Sequence, residues 1–198
     1  AVLVLMLIPI IFLALAVKLT SPGPVLYWSH RVGRKNSLFL MPKFRTMQVG
    51  TPALATDLLM NAHQYLTPIG GLLRRTSLDE LPQLWSIIVG QMSLVGPRPA
   101  LFNQHDLIEL RTQKGVHELT PGLTGWAQVN GRDELSVLSK VQYDLHYLNK
   151  QSFWFDVKIL GLTFLKVIRD KQKLANNKLL VFSGFRHTLF YLIEKLSR

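Results

Sequence analysis

The chain has 198 residues, with 48% hydrophobic and 18% charged side chains and a positive mean hydropathy of +0.19. Lys and Arg outnumber Asp and Glu by 23 to 12, giving a net charge of +11; such a balance suits polyanions, whether anionic lipid, phosphorylated small molecules or nucleic acid. The absence of cysteine excludes disulfides, a thiol nucleophile and a Cys-based zinc site.

Ala1 to Val17 carries no charged side chain, and Lys18 ends the run before Thr20-Ser21-Pro22-Gly23-Pro24 breaks any helix. The run is short for a hydrocarbon core of ~30 Å, and Pro9 at its centre removes a helix hydrogen bond and invites a bend. A cleaved leader would open on a basic residue and close on a better cleavage site. A straight spanning helix and a core helix of a soluble protein are alternatives. The favoured reading is a helix that enters the bilayer, bends at Pro9 and returns to the same face. Lys18, His30, Arg31, Arg34 and Lys35 then place its C-terminal end at the cytoplasmic surface.

Val25 to Tyr27 and Ser37 to Met41 are β-prone, with Gly33 to Asn36 as the turn of a small hairpin. Thr51 to Thr67 reads as helix plus loop. Ser77 to Met92 reads as a helix interrupted near its start by Pro82, and Leu101 to Lys114 as another. Leu119 to Arg132 is a structured loop rich in Gly, Pro and Asn, and Leu135 to Asn149 is helical. Phe153 to Asp170 is helical too, with Trp154, Val157, Leu160, Phe164 and Ile168 as an apolar stripe that packs a core or lies among lipid headgroups. Lys171 to Arg198 is a basic tail, either a surface-lying amphipathic helix or a solvated extension. The expected fold is α+β: mainly α with a small β-hairpin. It divides into a re-entrant membrane helix (1–20), a cytoplasmic catalytic domain with interfacial amphipathic helices (21–170) and the basic tail (171–198).

The densest chemical signal is Arg74-Arg75-Thr76-Ser77-Leu78-Asp79-Glu80-Leu81-Pro82. Two readings stand. Ser77 and Glu80 match a Ser-x-x-Glu capping box, in which the acids only stabilise a helix start. Alternatively, one carboxylate binds Mg²⁺, which bridges diphosphate oxygens, while the other attacks phosphorus. Arginines would then neutralise the phosphoryl charge. Three further basic groups sit on stiff local structure: Lys43-Phe44-Arg45 after the hairpin, Arg98 between Pro97 and Pro99, and Arg132 in Asn130-Gly131-Arg132. There is no Gly-x-x-x-x-Gly-Lys-Ser/Thr loop, Gly-x-Gly-x-x-Gly, Gly-x-Ser-x-Gly or His-Glu-x-x-His.

RRTSLDELPQ (74–83), MSLVGPRPA (92–100) and PGLTGWAQVNGR (121–132) together resemble the bacterial sugar transferases, the small monotopic polyprenyl-phosphate phosphoglycosyl transferases. KLTSPGP (18–24), KFRTM (43–47), Asp144, Tyr147 and the Phe153 to Ile168 region fit as well, so the resemblance runs to about residue 169. It implies a UDP-sugar donor, an undecaprenyl phosphate acceptor and Mg²⁺, at the inner membrane of a bacterium in cell-surface glycan synthesis. It places the nucleophile at Asp79, a metal-holding carboxylate at Glu80, and phosphate or nucleotide contacts at Arg74, Arg98 and Arg132. The first helix would be re-entrant. Two positions depart from the family pattern: Ile8 rather than serine precedes Pro9, and Gln91 stands where an acid is common. Sugar identity and oligomeric state stay open, a homodimer included. A non-enzymatic basic protein docked on anionic membranes is the alternative. Nucleic-acid binding lacks any recognition module.

Overall fold

The computed structural model describes residues 2–52, 61–131 and 134–167, with side chains from residue 8. The chain forms two compact units, Ala1–Leu160 and Gly161–Arg198. Arg132 and the basic tail 171–198 lie outside the described residues, as does most of the expected helix within 51–67. In the second unit residues 161–167 are helical.

Helix α1 (Val2–Thr20) runs with Pro9 inside it. Its C-terminal end is closed by local polar groups: Thr20 Oγ1 donates to the Ala16 carbonyl at 2.7 Å, and Lys18 Nζ to that of Gly23 at 3.3 Å. One side of α1 packs into the first unit, where Val17 is fully buried against Phe44 and Leu73, with Ile10, Leu13 and Ala14 beside them. The other side leaves Ile8, Ile11, Phe12, Leu15 and Leu19 exposed. Among the described residues no helix is long and apolar enough to cross a membrane.

The expected hairpin forms, longer than its β-prone cores. Strands β1 (Leu26–Val32) and β2 (Leu38–Phe44) pair antiparallel from Leu26↔Phe44 to Val32↔Leu38. Lys35 and Asn36 take positive φ in the turn. The two-residue period of β2 puts Phe39 and Met41 on one face, where they pack with Met92 and Ile87. Lys43 falls on the same face.

Helix α2 (Gly70–Thr76) ends at Ser77, whose φ of 56° is left-handed and reverses the chain. A 3-10 segment, Leu78–Gln83, and the short α3 (Leu84–Ile88) follow. The single helix expected over Ser77 to Met92 is therefore broken. Pro82 has no N–H to continue an α ladder and its ring collides with the preceding turn. Gly90, at φ 79°, closes α3 before Met92. The capping box also fails to form, because left-handed Ser77 makes no side-chain cap bond.

The stretch expected as a loop over 119–132 holds β4 (Gly122–Thr124) and α5 (Trp126–Val129). Strand β4 lies parallel to β3 (Ser93–Val95). The two runs touch so closely that a Cβ on Gly125 would collide with the Gly96 carbonyl, and one on Gly96 with that of Thr120. Helix α4 (His105–Gln113) is shorter than expected, while α6 (Val137–Lys150) begins at an N-cap, Ser136, that accepts from the Ser139 amide. Residues 153–160 are helical. There Ile159 is fully buried and Phe155 packs on Tyr147 and Trp126, whereas Trp154, Val157 and Leu160 are exposed. The stripe singled out in the sequence thus faces outward. Both sides of this helix are apolar, so periodicity alone could not choose the buried one.

Candidate active site

Four separate elements deliver charged groups to one place. The 3-10 segment carries Asp79 and Glu80, β2 carries Lys43, the end of α2 carries Arg74, and the turn after β3 carries Arg98. Glu80 Oε1 accepts from Lys43 Nζ at 3.1 Å and from an Arg98 guanidinium nitrogen at 2.8 Å. All three side chains are largely shielded, at 12% exposure for Glu80, 14% for Lys43 and 27% for Arg98. Charge-assisted bonds of this kind hold more firmly than exposed ion pairs.

The two carboxylates are treated differently. Glu80 is tied to two cations. Asp79 is buried, yet among the described residues none donates a hydrogen bond to its carboxylate. Burial pushes the Asp79 pKa above the ordinary carboxylate value and the negative Glu80 adds to this, while the Lys43, Arg74 and Arg98 charges pull it down. Lys43 feels the reverse balance. Desolvation lowers its pKa to about 8 against the pull of Glu80, with Arg98 and Arg31 adding repulsion. The site is thus a cationic wall around one tethered and one untethered acid.

The turn bearing Arg98 is fixed by its carbonyls. That of Pro97 accepts from the Gly122 amide at 2.9 Å, that of Arg98 from Arg111 at 2.8 Å, that of Pro99 from Arg31 at 3.1 Å, and that of Ala100 from the Val32 amide at 2.9 Å. Pro97 and Pro99 serve in this turn as stiff, buried backbone.

Residues 1–170 match the family described as bacterial sugar transferase. The chain belongs to the bacterial sugar transferase family. A UDP-glucose:undecaprenyl-phosphate glucose-1-phosphate transferase of Escherichia coli (strain K12) is 43% identical over 183 residues, 86% of this chain and 39% of that protein. A protein of the same name from Xanthomonas campestris pv. campestris is 42% identical, covering 80% of this chain and 34% of its own length. The uncharacterized sugar transferase EpsL of Bacillus subtilis (strain 168) is 41% identical, covering 80% of this chain and 77% of that protein. The chain therefore spans little more than a third of the first two relatives.

In this member of the bacterial sugar transferase family, Lys43, Arg74, Asp79, Glu80 and Arg98 converge as the sequence suggested. Arg45 does something else. It is buried and donates to the carbonyls of Pro24 (2.6 Å), Pro22 (2.7 Å) and Ser21 (2.9 Å) and to Ser21 Oγ (2.8 Å). Its guanidinium clamps the loop between α1 and β1, with its donors directed at that loop. Arg132, predicted to contact phosphate or nucleotide, lies outside the described residues. The sequence reading placed neither Arg31, named only among the basic residues after the apolar run, nor Arg111 at this site; only the fold brings them to the Arg98 turn.

Among the described residues no three His, Asp or Glu side chains gather to hold a metal. Mg²⁺ does not need such a cage, since it commonly takes one or two carboxylates together with substrate phosphates. The adjacent Asp79 and Glu80 offer that donor set.

Proposed function

We propose that this chain transfers a sugar-1-phosphate from a UDP-sugar to undecaprenyl phosphate, releasing UMP and forming undecaprenyl-diphosphate-sugar. The observation that carries the reading is the pair of carboxylates of unequal tethering, enclosed by Lys43, Arg74 and Arg98, in a chain of this family. Relatives named as transferring glucose-1-phosphate or N-acetylgalactosamine phosphate to undecaprenyl phosphate support the substrate class.

On this reading the untethered Asp79 is the nucleophile. A carboxylate oxygen of Asp79 attacks the phosphorus that bears the sugar, and the bond from that phosphorus to UMP breaks. The phosphate of undecaprenyl phosphate then attacks the same phosphorus, and Asp79 leaves as carboxylate. A carboxylate with few hydrogen bonds to shed is the better attacking group. Arg98 and Lys43, held by Glu80, and Arg74 face the charge that spreads over the phosphoryl oxygens. Asp79 and Glu80 would hold Mg²⁺, which supplies neutralisation of diphosphate charge when bound.

The exposed apolar side of α1 and the outward Phe153, Trp154 and Val157 support contact with lipid at the cytoplasmic face of the inner membrane. A groove beside the hairpin, lined by Trp28, Leu38, Leu40, Trp85 and Val89, adds apolar surface of the same kind. The bend at Pro9 belongs to this proposal: a helix returning to its own face would keep the catalytic unit on one side of the bilayer.

The test is UMP release from UDP-glucose, UDP-galactose and UDP-N-acetylgalactosamine, with and without undecaprenyl phosphate. Incubation with donor alone should leave a phosphosugar on Asp79, visible by intact mass and absent from Asp79→Asn. No turnover with any donor, combined with tight binding to anionic vesicles, would favour a non-enzymatic docking protein instead.

A further inference from the structure

Arg98 owes its place to more than its flanking prolines. Arg111, on α4, spreads its three donor nitrogens over two partners. Nε and one terminal nitrogen donate to Asp144 Oδ2 at 3.0 and 2.7 Å, while the other terminal nitrogen donates to the Arg98 carbonyl at 2.8 Å. Asp144 is almost wholly buried on α6 and Arg111 nearly so, at 2% and 11% exposure. The pair stands away from the acids of the site and touches no proposed reacting atom. A buried ion pair is weak evidence for stability in itself, because desolvation offsets its Coulomb attraction. The third bond is what the geometry has to explain.

Both prolines of the turn lack an N–H, so the Pro97-Arg98-Pro99 backbone cannot be fixed through two of its donors. It is fixed through acceptors, and the Arg98 carbonyl is the central one. An error at that carbonyl is carried directly to the Arg98 side chain and so to Glu80. We infer that Arg111, oriented by Asp144, is a positioning residue that sets the Arg98 guanidinium against Glu80 for the phosphoryl-transfer step. This rests on the proposed transferase function for its kinetic consequence, though not for its structural one.

Arg111→Lys separates positioning from folding. A lysine keeps a charge for Asp144 but lacks the planar fork needed to reach Asp144 and the Arg98 carbonyl together. With the UDP-sugar that the wild-type chain turns over fastest, Arg111→Lys should lower kcat roughly 10²-fold, the scale expected for a reacting group displaced by about 1 Å. The donor KM should move less than threefold. Asp144→Asn should give the same split with a larger loss of thermal stability. In an Arg98→Ala background, Arg111→Lys should lower kcat no further, because its effect runs through Arg98.

Hydrogen–deuterium exchange of the peptide spanning 93–101 reads the same claim without turnover. Arg111→Lys should raise exchange there about tenfold and leave the hairpin peptide 26–44 unchanged. Unchanged exchange at 93–101, or full additivity with Arg98→Ala, would overturn the inference. Lack of turnover by the wild-type chain would instead remove the transferase reading, and the exchange result would still decide the bracing of the turn.

Discussion

Glu80 holds two cations with one oxygen, which makes Glu80→Gln an informative single perturbation. The amide keeps the shape and can still accept a hydrogen bond, but the negative charge is gone. Lys43 and Arg98, 3.1 and 2.8 Å from that oxygen, are then left shielded from water beside each other and Arg31. Removing one partner of a buried pair costs about 3–5 kcal/mol, and the residual exposure here argues for the lower end, about 3 kcal/mol. For a domain of this size that corresponds to a Tm lower by about 6–12 °C. The charge loss has a second effect. Glu80 is the largest influence keeping Lys43 protonated against desolvation. Without it, the Lys43 pKa should fall below about 8 and the alkaline limb of the turnover profile should move toward neutral pH. Thermal melts of both proteins and UMP release from pH 5 to 9.5 measure the two effects. A Tm within 1 °C of wild type, with the alkaline limb unmoved, would refute the electrostatic account of this cluster.

Asp79→Asn should abolish turnover and raise Tm at neutral pH. Burial lifts the Asp79 pKa, so the folded state binds that proton more readily than the unfolded chain, and ionising Asp79 lowers stability as pH rises through the lifted value. An Asn variant that is less stable than wild type at pH 7 would contradict this. Lys43→Met should remove a contribution of the opposite slope. The folded Lys43 pKa of about 8 lies below 10.5, so between these values the unfolded chain holds the extra proton and wild-type stability gains relative to the variant as pH rises; paired denaturant melts at pH 8 and 10 check it. Turnover should fall over that range, as Lys43 loses its charge. Arg45→Met should cost about 1–3 kcal/mol by removing the donors to the buried Ser21 carbonyl and to those of Pro22 and Pro24, while leaving kcat per folded molecule within about twofold. A large kcat loss in a well-folded Arg45→Met protein would return Arg45 to the substrate site.

Local sequence exposed those parts of the molecule that local physics decides. The hairpin followed from β-prone runs around Gly33 to Asn36, and α6 closely overlaps the helix expected over Leu135 to Asn149. Asp79, Glu80, Lys43, Arg74 and Arg98 were recognisable as types suited to diphosphate, and the fold gathers them. Other features depend on contacts far apart in sequence. The parallel pairing of β3 with β4 rests on glycine-to-backbone approach between residues 96 and 125, which no single window contains. Ser77 matched a capping pattern, but its left-handed backbone follows from the reversal between α2 and the Asp-Glu segment. Arg45 follows Lys43 by two residues and lies just past the end of β2, so the strand period does not separate them. Their partners are distant in sequence, Glu80 for Lys43 and Ser21, Pro22 and Pro24 for Arg45.

Residues 43–45 also tie the site to α1. Arg45 fastens Ser21–Pro24, the segment that ends α1, while its neighbour Lys43 joins Glu80. Phe44 between them packs against Val17 of α1 and Leu73 of α2, one residue before Arg74. The last two residues of β2 and the one after it thus connect the apolar helix, the α2 arginine and the acid pair. The C-terminal half of α1 cannot be treated as a detachable anchor, since its burial also sets the strand that presents Lys43. Trimming Val17 to alanine should lower stability by about 1–3 kcal/mol as a core truncation. If β2 transmits the change, Val17→Ala should also shift the Lys43-dependent alkaline limb. A variant whose stability falls while the limb stays fixed would show that α1 supports the fold without setting the site.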